Sequence, residues 1–177
     1  MDRGLDFLKS QINNSVMQHR TLLQNLEDHE KQAEDQRYRD LCSKHIAKMR
    51  EHQRMLEEYA AAIGAEAGVG KKVLGAALGV ARDLADRVRE SDFLRLVGDI
   101  VTSRQSQDTF YTFAEAGKTL GDATMQQIGE TGQRHHEEYA REANKLAVNF
   151  FVEHVHGVDA VQGGQVKMKD SSLGGSL

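Results

Sequence analysis

The first third of the chain carries two successive stripes of apolar residues. Between residues 5 and 63 there is no glycine and no proline. The first stripe consists of Leu5, Leu8, Ile12, Val16, Leu22, Leu26 and Ala33. The second consists of Tyr38, Leu41, Ile46, Met49, Leu56, Tyr59 and Ile63. A three-to-four spacing is typical of helices that bury one face, and the change of phase predicts two helices with a turn within 30–36. One uninterrupted helix of about 85 Å is the alternative.

Two more helices are expected in the second half. Gly64 follows the last periodic residue of the second helix, as a C-terminal glycine does. Ser91 or Asp92 suits the N-cap of a third helix, and Gly121-Asp122 separates it from a fourth. The stripe of the fourth helix consists of Met125, Ile128, His135, Tyr139, Leu146 and Phe150.

The lengths of the connections predict the topology. The predicted helices cover 5–32, 36–63, 92–120 and 123–155. Two connections are short, whereas 64–91 is long enough to run the length of a bundle, with a short helix expected within 73–88. This pattern predicts an all-α, ferritin-like antiparallel four-helix bundle with a long crossover between helices two and three. The bundle domain is expected to cover 1–156, and the Gly-rich residues 157–177 to form a flexible tail.

Composition narrows the classes of protein. The 177 residues suit one domain, and 23 basic against 27 acidic residues argue against nucleic-acid binding. The single cysteine excludes a disulfide framework and a cysteine-based zinc site. No run of apolar residues is long enough for a transmembrane segment, and the N-terminus lacks the apolar core of a signal peptide. We therefore expect a cytoplasmic location.

Histidines supply the candidate chemistry. Several of the eight lie on or beside the apolar stripes, where a buried imidazole needs a hydrogen-bond partner or a metal. His19, His52, His135 and Glu138 are the predicted metal ligands, with His45, Glu51 and His136 in support. Iron, manganese and zinc are the candidate metals, whereas no catalytic residue is assigned. The alternative is that these histidines are satisfied by ordinary hydrogen bonds or lie at the surface.

The carboxylates of a di-iron bundle are largely missing. Such a site needs a Glu from each of two helices and a Glu-x-x-His from each of the other two. Met49 stands where the glutamate before His52 is expected, and His135-x-x-Glu138 has the reverse order. A complete carboxylate di-iron centre is therefore not predicted.

Two short segments carry a resemblance to a family. They are the end of the second helix, from His45 to Ile63-Gly64, and the junction Thr119-Leu120-Gly121-Asp122. The chain resembles the stress-associated ferritin-like proteins of the YciE/YciF type over about residues 5–155. The resemblance implies a dimerising bundle and, in metal-bearing members, a di-iron or di-manganese site. Its ligand positions would fall near Gln18/His19, Met49/His52, Ser103/Ser106 and His135/Glu138.

The last residues invite a second comparison. Leu173-Gly174-Gly175-Ser176-Leu177 is similar to the peptides that dock cargo inside encapsulin shells, and such a tail would bind a protein partner.

The sequence leaves three functions open. The first is a non-catalytic, dimerising ferritin-like bundle with a degenerate di-metal site and a role in stress. The second is a metal-binding or oxidoreductase bundle that uses interior histidines, and the third is a cargo or interaction module.

Overall fold

Four helices form the described part of the protein. The computed structural model describes residues 3–65 and 91–156. The helices are α1 (Arg3–Gln32), α2 (Gln36–Ala62), α3 (Asp92–Leu120) and α4 (Ala123–His156). No strand occurs within these two ranges, so the predicted all-α four-helix architecture is confirmed there. Each helix begins and ends within two residues of its predicted bounds.

A capped turn separates α1 from α2. Asp35 has extended backbone angles, and its Oδ1 accepts a hydrogen bond of 2.8 Å from the backbone N–H of Arg37. The guanidinium of Arg39 donates to the carbonyl of Ala33, the residue that follows α1. The change of hydrophobic phase therefore marks a real break, and the alternative of one long helix is wrong.

The helices α1 and α2 lie antiparallel. An ion pair of 2.6 Å joins Arg20 to Glu57, and another of 2.8 Å joins Glu27 to Arg50. Residues later in α1 thus meet residues earlier in α2. The short turn between the two helices requires this direction.

The helix α4 lies antiparallel to α2. Lys44 near the start of α2 pairs with Glu142 at 2.8 Å, while the hydroxyl of Tyr59 near its end donates to Asp122 at 2.7 Å. Asp122 also accepts from the backbone N–H of Met125 and so caps the start of α4. One carboxylate therefore begins α4 and fixes the end of α2 against it.

The helices α3 and α4 approach each other closely through glycines. A Cβ at Gly117 would lie 2.8 Å from the Cα of Gln126, and one at Gly129 would lie 2.6 Å from the Cα of Ala114. Real Cβ atoms are not found so near to backbone, so glycine is required at both places. Gly98, by contrast, has nothing within 4 Å of its virtual Cβ.

The helices α2 and α3 run in the same direction. The start of α3 lies beside the start of α2, because Asp92 Oδ2 accepts from the backbone N–H of Asp35 at 2.7 Å. His29 of α1 meets Asp99 of α3, and the ring of His19, earlier in α1, lies 5.9 Å from that of Phe110, later in α3, so α1 and α3 are antiparallel. The predicted crossover, the short helix within it and the C-terminal tail lie almost entirely in 66–90 and 157–177, outside the described residues.

Two apolar clusters divide the core. One contains Leu22, Met49, Leu96 and Tyr139, and the other contains Val16, Leu56, Phe110 and Ile128. Each helix contributes residues to both clusters. Along each helix, buried polar residues lie between those of one cluster and those of the other, and together they form a polar layer across the bundle. These are His19, His52, Ser103, Ser106 and His136. None of the described helices is long and apolar enough to span a membrane.

Candidate metal centre

Three histidines from three helices meet in the polar layer between the clusters. His19 of α1, His52 of α2 and His136 of α4 are each at most 1% exposed. One ring nitrogen from each lies within 4.8 Å of those of the other two. The bundle therefore brings three good metal donors together in a site that bulk water does not reach.

The ring separations suit a shared ion. The ring centres of His19 and His52 are 4.8 Å apart, those of His19 and His136 are 5.2 Å apart, and those of His52 and His136 are 6.2 Å apart. Three imidazoles bound to one ion at about 2.1 Å with tetrahedral angles have ring centres about 5 Å apart. Small side-chain rotations would thus bring the three nitrogens into coordination distance.

The partners of His19 and His52 determine where their protons lie. His19 Nδ1 is 2.8 Å from Gln53 Oε1, an acceptor, and His52 Nε2 is 3.0 Å from the carbonyl oxygen of Ile128, also an acceptor. Both of these ring nitrogens must therefore carry the proton. In a neutral imidazole the other nitrogen then has a lone pair. His19 Nε2 and His52 Nδ1 are these nitrogens, and they face each other at 3.1 Å.

The amide orientation of Gln53 is fixed independently. Its Nε2 donates to Glu57 Oε1 at 2.7 Å, and Glu57 is held ionised because hydrogen bonds from Arg20 and Gln53 lower the pKa of its carboxyl. Turning the amide over would place two oxygens against each other. Gln53 Oε1 therefore stays toward His19, and the assignment of the His19 proton to Nδ1 holds.

His136 presents a third lone pair. Its Nδ1 is 3.2 Å from the Oγ of Ser103, and that hydroxyl donates to the backbone oxygen of His136 at 3.1 Å. The Ser103 oxygen then accepts the Nδ1 proton. His136 Nε2 is left buried with no hydrogen-bond partner. A buried nitrogen without a partner is costly, and a metal ion would satisfy it.

Burial keeps all three imidazoles neutral. Desolvation is the largest cause in each case, and it lowers the pKa of His19 to about 4 and that of His52 to about 3. The pKa of His136 is held well below its usual value by the same burial and by the other histidines. Neutral imidazole is the form that binds metals, so these side chains are ready to coordinate at neutral pH.

Phe110 and Gly132 shape the centre from two sides. The Phe110 ring stacks on His136 at 5.3 Å and meets His52 edge-on at 4.5 Å. A Cβ at Gly132 would collide with the His52 ring and lie 2.6 Å from Phe110 Cγ. The glycine therefore leaves the space that the His52 ring occupies.

The structure separates the four residues that the sequence predicted as ligands. His19 and His52 are together, whereas His135 is half-buried and Glu138 turns toward Lys48, to which it is bonded at 2.6 Å. The ring of His135 lies 6.2 Å from that of His52, but it is not in the close group of nitrogens. His136, named only in support, takes the third place.

The other two supporting residues lie outside the group. Glu51 is exposed and pairs with Arg54. His45 is buried one turn before Met49, and its Nε2 lies 3.1 Å from Glu142. Neither side chain belongs to the group of close nitrogens.

A second polar cluster was not predicted from the sequence. Asp99 of α3 is 2% exposed, and its Oδ2 accepts hydrogen bonds from Tyr38 at 2.6 Å, Tyr139 at 3.2 Å and His29 at 2.9 Å. Each helix contributes one member. Asp99 lies three residues after the buried Leu96, and this position in an apolar stripe is the sequence signal that marks it. The cluster joins the four helices at one carboxylate.

Comparison with known proteins finds no family model, no curated protein and no solved structure that matches the chain. The resemblance to the YciE/YciF type therefore stays a prediction.

Proposed function

We propose that the protein is a metal-binding four-helix bundle in which His19, His52 and His136 hold one ion. The observation that supports this is the orientation of the three imidazoles. Each has one ring nitrogen at a neutral acceptor, and one ligand nitrogen of each ring lies within 4.8 Å of those of the other two. Such hydrogen bonds from the second nitrogen are characteristic of histidines that ligate metals.

The same geometry disfavours a carboxylate-bridged pair of metals. Glu138, the one glutamate among the predicted ligands, is engaged by Lys48. The α3 positions that face the layer are Ser103 and Ser106. We therefore propose a degenerate di-metal site without the catalysis of a di-iron enzyme.

The ferritin-like arrangement is part of this proposal. The parallel direction of α2 and α3 supports it, because a connection between such helices has to run the length of the bundle. Dimerisation, a role in stress and the docking of the tail on a partner rest on the resemblances alone. They remain predictions.

Elemental analysis of a matched pair of variants tests the proposal. We would purify the untagged protein without chelator, dialyse it against copper, zinc, iron or manganese, and measure the bound metal by inductively coupled plasma mass spectrometry. His136→Leu keeps the side-chain volume and the bond from Ser103 to the backbone, and His135→Leu makes the same change at the next residue. Circular dichroism establishes that both are folded.

The two variants should behave differently. We expect about one metal ion per chain in the unchanged protein and in His135→Leu, and less than a tenth of that in His136→Leu, because removing one of three ligands abolishes the site. No bound metal in the unchanged protein contradicts the proposal. Loss in His135→Leu with retention in His136→Leu would favour the ligands predicted from the sequence.

A further inference from the structure

The candidate metal centre has no negative charge among its immediate partners. The three imidazoles contact the amide oxygen of Gln53, the carbonyl of Ile128 and the hydroxyl of Ser103, all of which are neutral. In the described part of the chain, none of the three forms an ion pair with a carboxylate. An ion bound here would have no carboxylate among its ligands to offset its charge, since the carboxylate of Glu57 lies one hydrogen bond further out, behind Gln53.

Charge therefore discriminates between metals at this site. The cost of burying an ion rises with the square of its charge, so a divalent ion costs about four times as much as a monovalent one in the same surroundings. Zinc sites with three histidines add a water or hydroxide in the fourth position. A divalent ion would need such an anion here to lower the net charge.

Aromatic and backbone atoms pack directly on the imidazoles of His52 and His136. The Phe110 ring covers His136 and the edge of His52, and the backbone of α4 at Gly132 lies against the same ring of His52. All three imidazoles are at most 1% exposed. This packing favours an ion that needs only three neutral ligands.

We propose that the centre binds copper as Cu(I) in preference to divalent ions, an inference that rests on the proposed metal-binding function. Cu(I) is monovalent, and imidazole is among the ligands that copper accepts, whereas Zn²⁺ held by three histidines takes a water or hydroxide as its fourth ligand. One ligand nitrogen from each of the three rings, all within 4.8 Å of one another, supplies the three-donor set that Cu(I) accepts.

Competition under anaerobic conditions measures the preference. Metal-free protein receives Cu(I), kept reduced with ascorbate, in the presence of the chelator bicinchoninate, and in parallel receives Zn²⁺ against a chromogenic zinc chelator. We expect one Cu(I) per chain and a dissociation constant at least about 100-fold below that for Zn²⁺. X-ray absorption of the copper complex should show three nitrogen neighbours.

A pair of substitutions that conserves net charge tests the physical reason. The double variant Gln53→Glu with Glu57→Gln keeps the hydrogen bond between positions 53 and 57 and moves the carboxylate onto His19 Nδ1. A carboxylate behind a ligating histidine favours a more highly charged ion. We expect the ratio of Cu(I) to Zn²⁺ affinity to fall at least about tenfold in this variant.

The outcomes separate this inference from the proposed function. Stoichiometric Zn²⁺ binding through the three histidines, with equal or weaker affinity for Cu(I), contradicts the copper inference and leaves the metal-binding function intact. Failure of every metal to bind overturns both. An unchanged affinity ratio in the double variant contradicts the argument from charge.

Discussion

Replacing Gly132 by alanine tests how tightly the centre is packed. The new Cβ would collide with the His52 ring and lie 2.6 Å from Phe110 Cγ, and both rings are buried. Overpacking of this kind costs about 1–3 kcal/mol of unfolding free energy. Alanine gains up to about 1 kcal/mol over glycine within a helix, so we expect a net loss of about 1–2 kcal/mol.

The matched control is Gly98→Ala. Gly98 is an exposed residue inside α3 with nothing within 4 Å of its virtual Cβ, so only the helix gain of about 0.5–1 kcal/mol applies there. The gain from helix propensity cancels between the two variants, and the difference in their stabilities gives the overpacking cost. Urea unfolding of the metal-free proteins measures it. If Gly132→Ala is as stable as Gly98→Ala, the described packing around His52 is wrong.

Three further predictions concern polar groups. Asp99→Asn should destabilise the protein by about 1.5–3 kcal/mol, because it replaces a carboxylate that accepts three hydrogen bonds. The control Asp108→Asn, at an exposed position, should change stability by less than about 0.5 kcal/mol. Equal effects of the two substitutions in urea unfolding would contradict the role of the cluster. Asp122→Ala should cost about 1–2 kcal/mol in thermal unfolding, while Ser91→Ala, at an N-cap with no side-chain hydrogen bond, should be nearly neutral. The third prediction concerns pH. The pKa values of the three buried histidines are lowered in the folded protein, so the unfolded chain takes up protons first as the pH falls below about 6.5. Stability that is complete above that pH is lost progressively between about 6.5 and 3. In metal-free protein His136→Leu should reduce the slope of stability against pH in that window by about 1.4 kcal/mol per pH unit, and an unchanged slope would show that His136 is not buried neutral.

The helices could be predicted because local signals agree with the packing. The phase slip between the stripes of α1 and α2 coincides with the capped turn at Asp35, and Gly121 takes the left-handed backbone angle, φ 71°, that ends α3. These signals depend on neighbours in sequence. The direction of α3 relative to α2 depends on the length of a connection, and the sequence could only favour it.

Two of the three histidines of the centre, His19 and His52, were predicted as ligands from the sequence, whereas the third was not, for a geometrical reason. His135 and His136 are adjacent, so their side chains point about 100° apart on α4, and the stripe alone admits either. The rotation of α4 about its axis places His136, and not His135, in the interior. The close approach of α4 to α3 at Gly129 fixes this rotation, and that approach is a tertiary contact. Asp99 lies on the buried stripe of α3, three residues after Leu96, so its position could have marked it as buried. The role of Gln53 depends on its contacts with His19 and Glu57, which the sequence does not show.

A crystal structure of the copper-loaded protein, with data collected at the copper absorption edge, tests the three-histidine centre most directly. We expect a single anomalous peak in the interior, about 2 Å from His19 Nε2, His52 Nδ1 and His136 Nε2. A peak at His135 and Glu138, or only at surface histidines with the three interior rings unchanged, would contradict it.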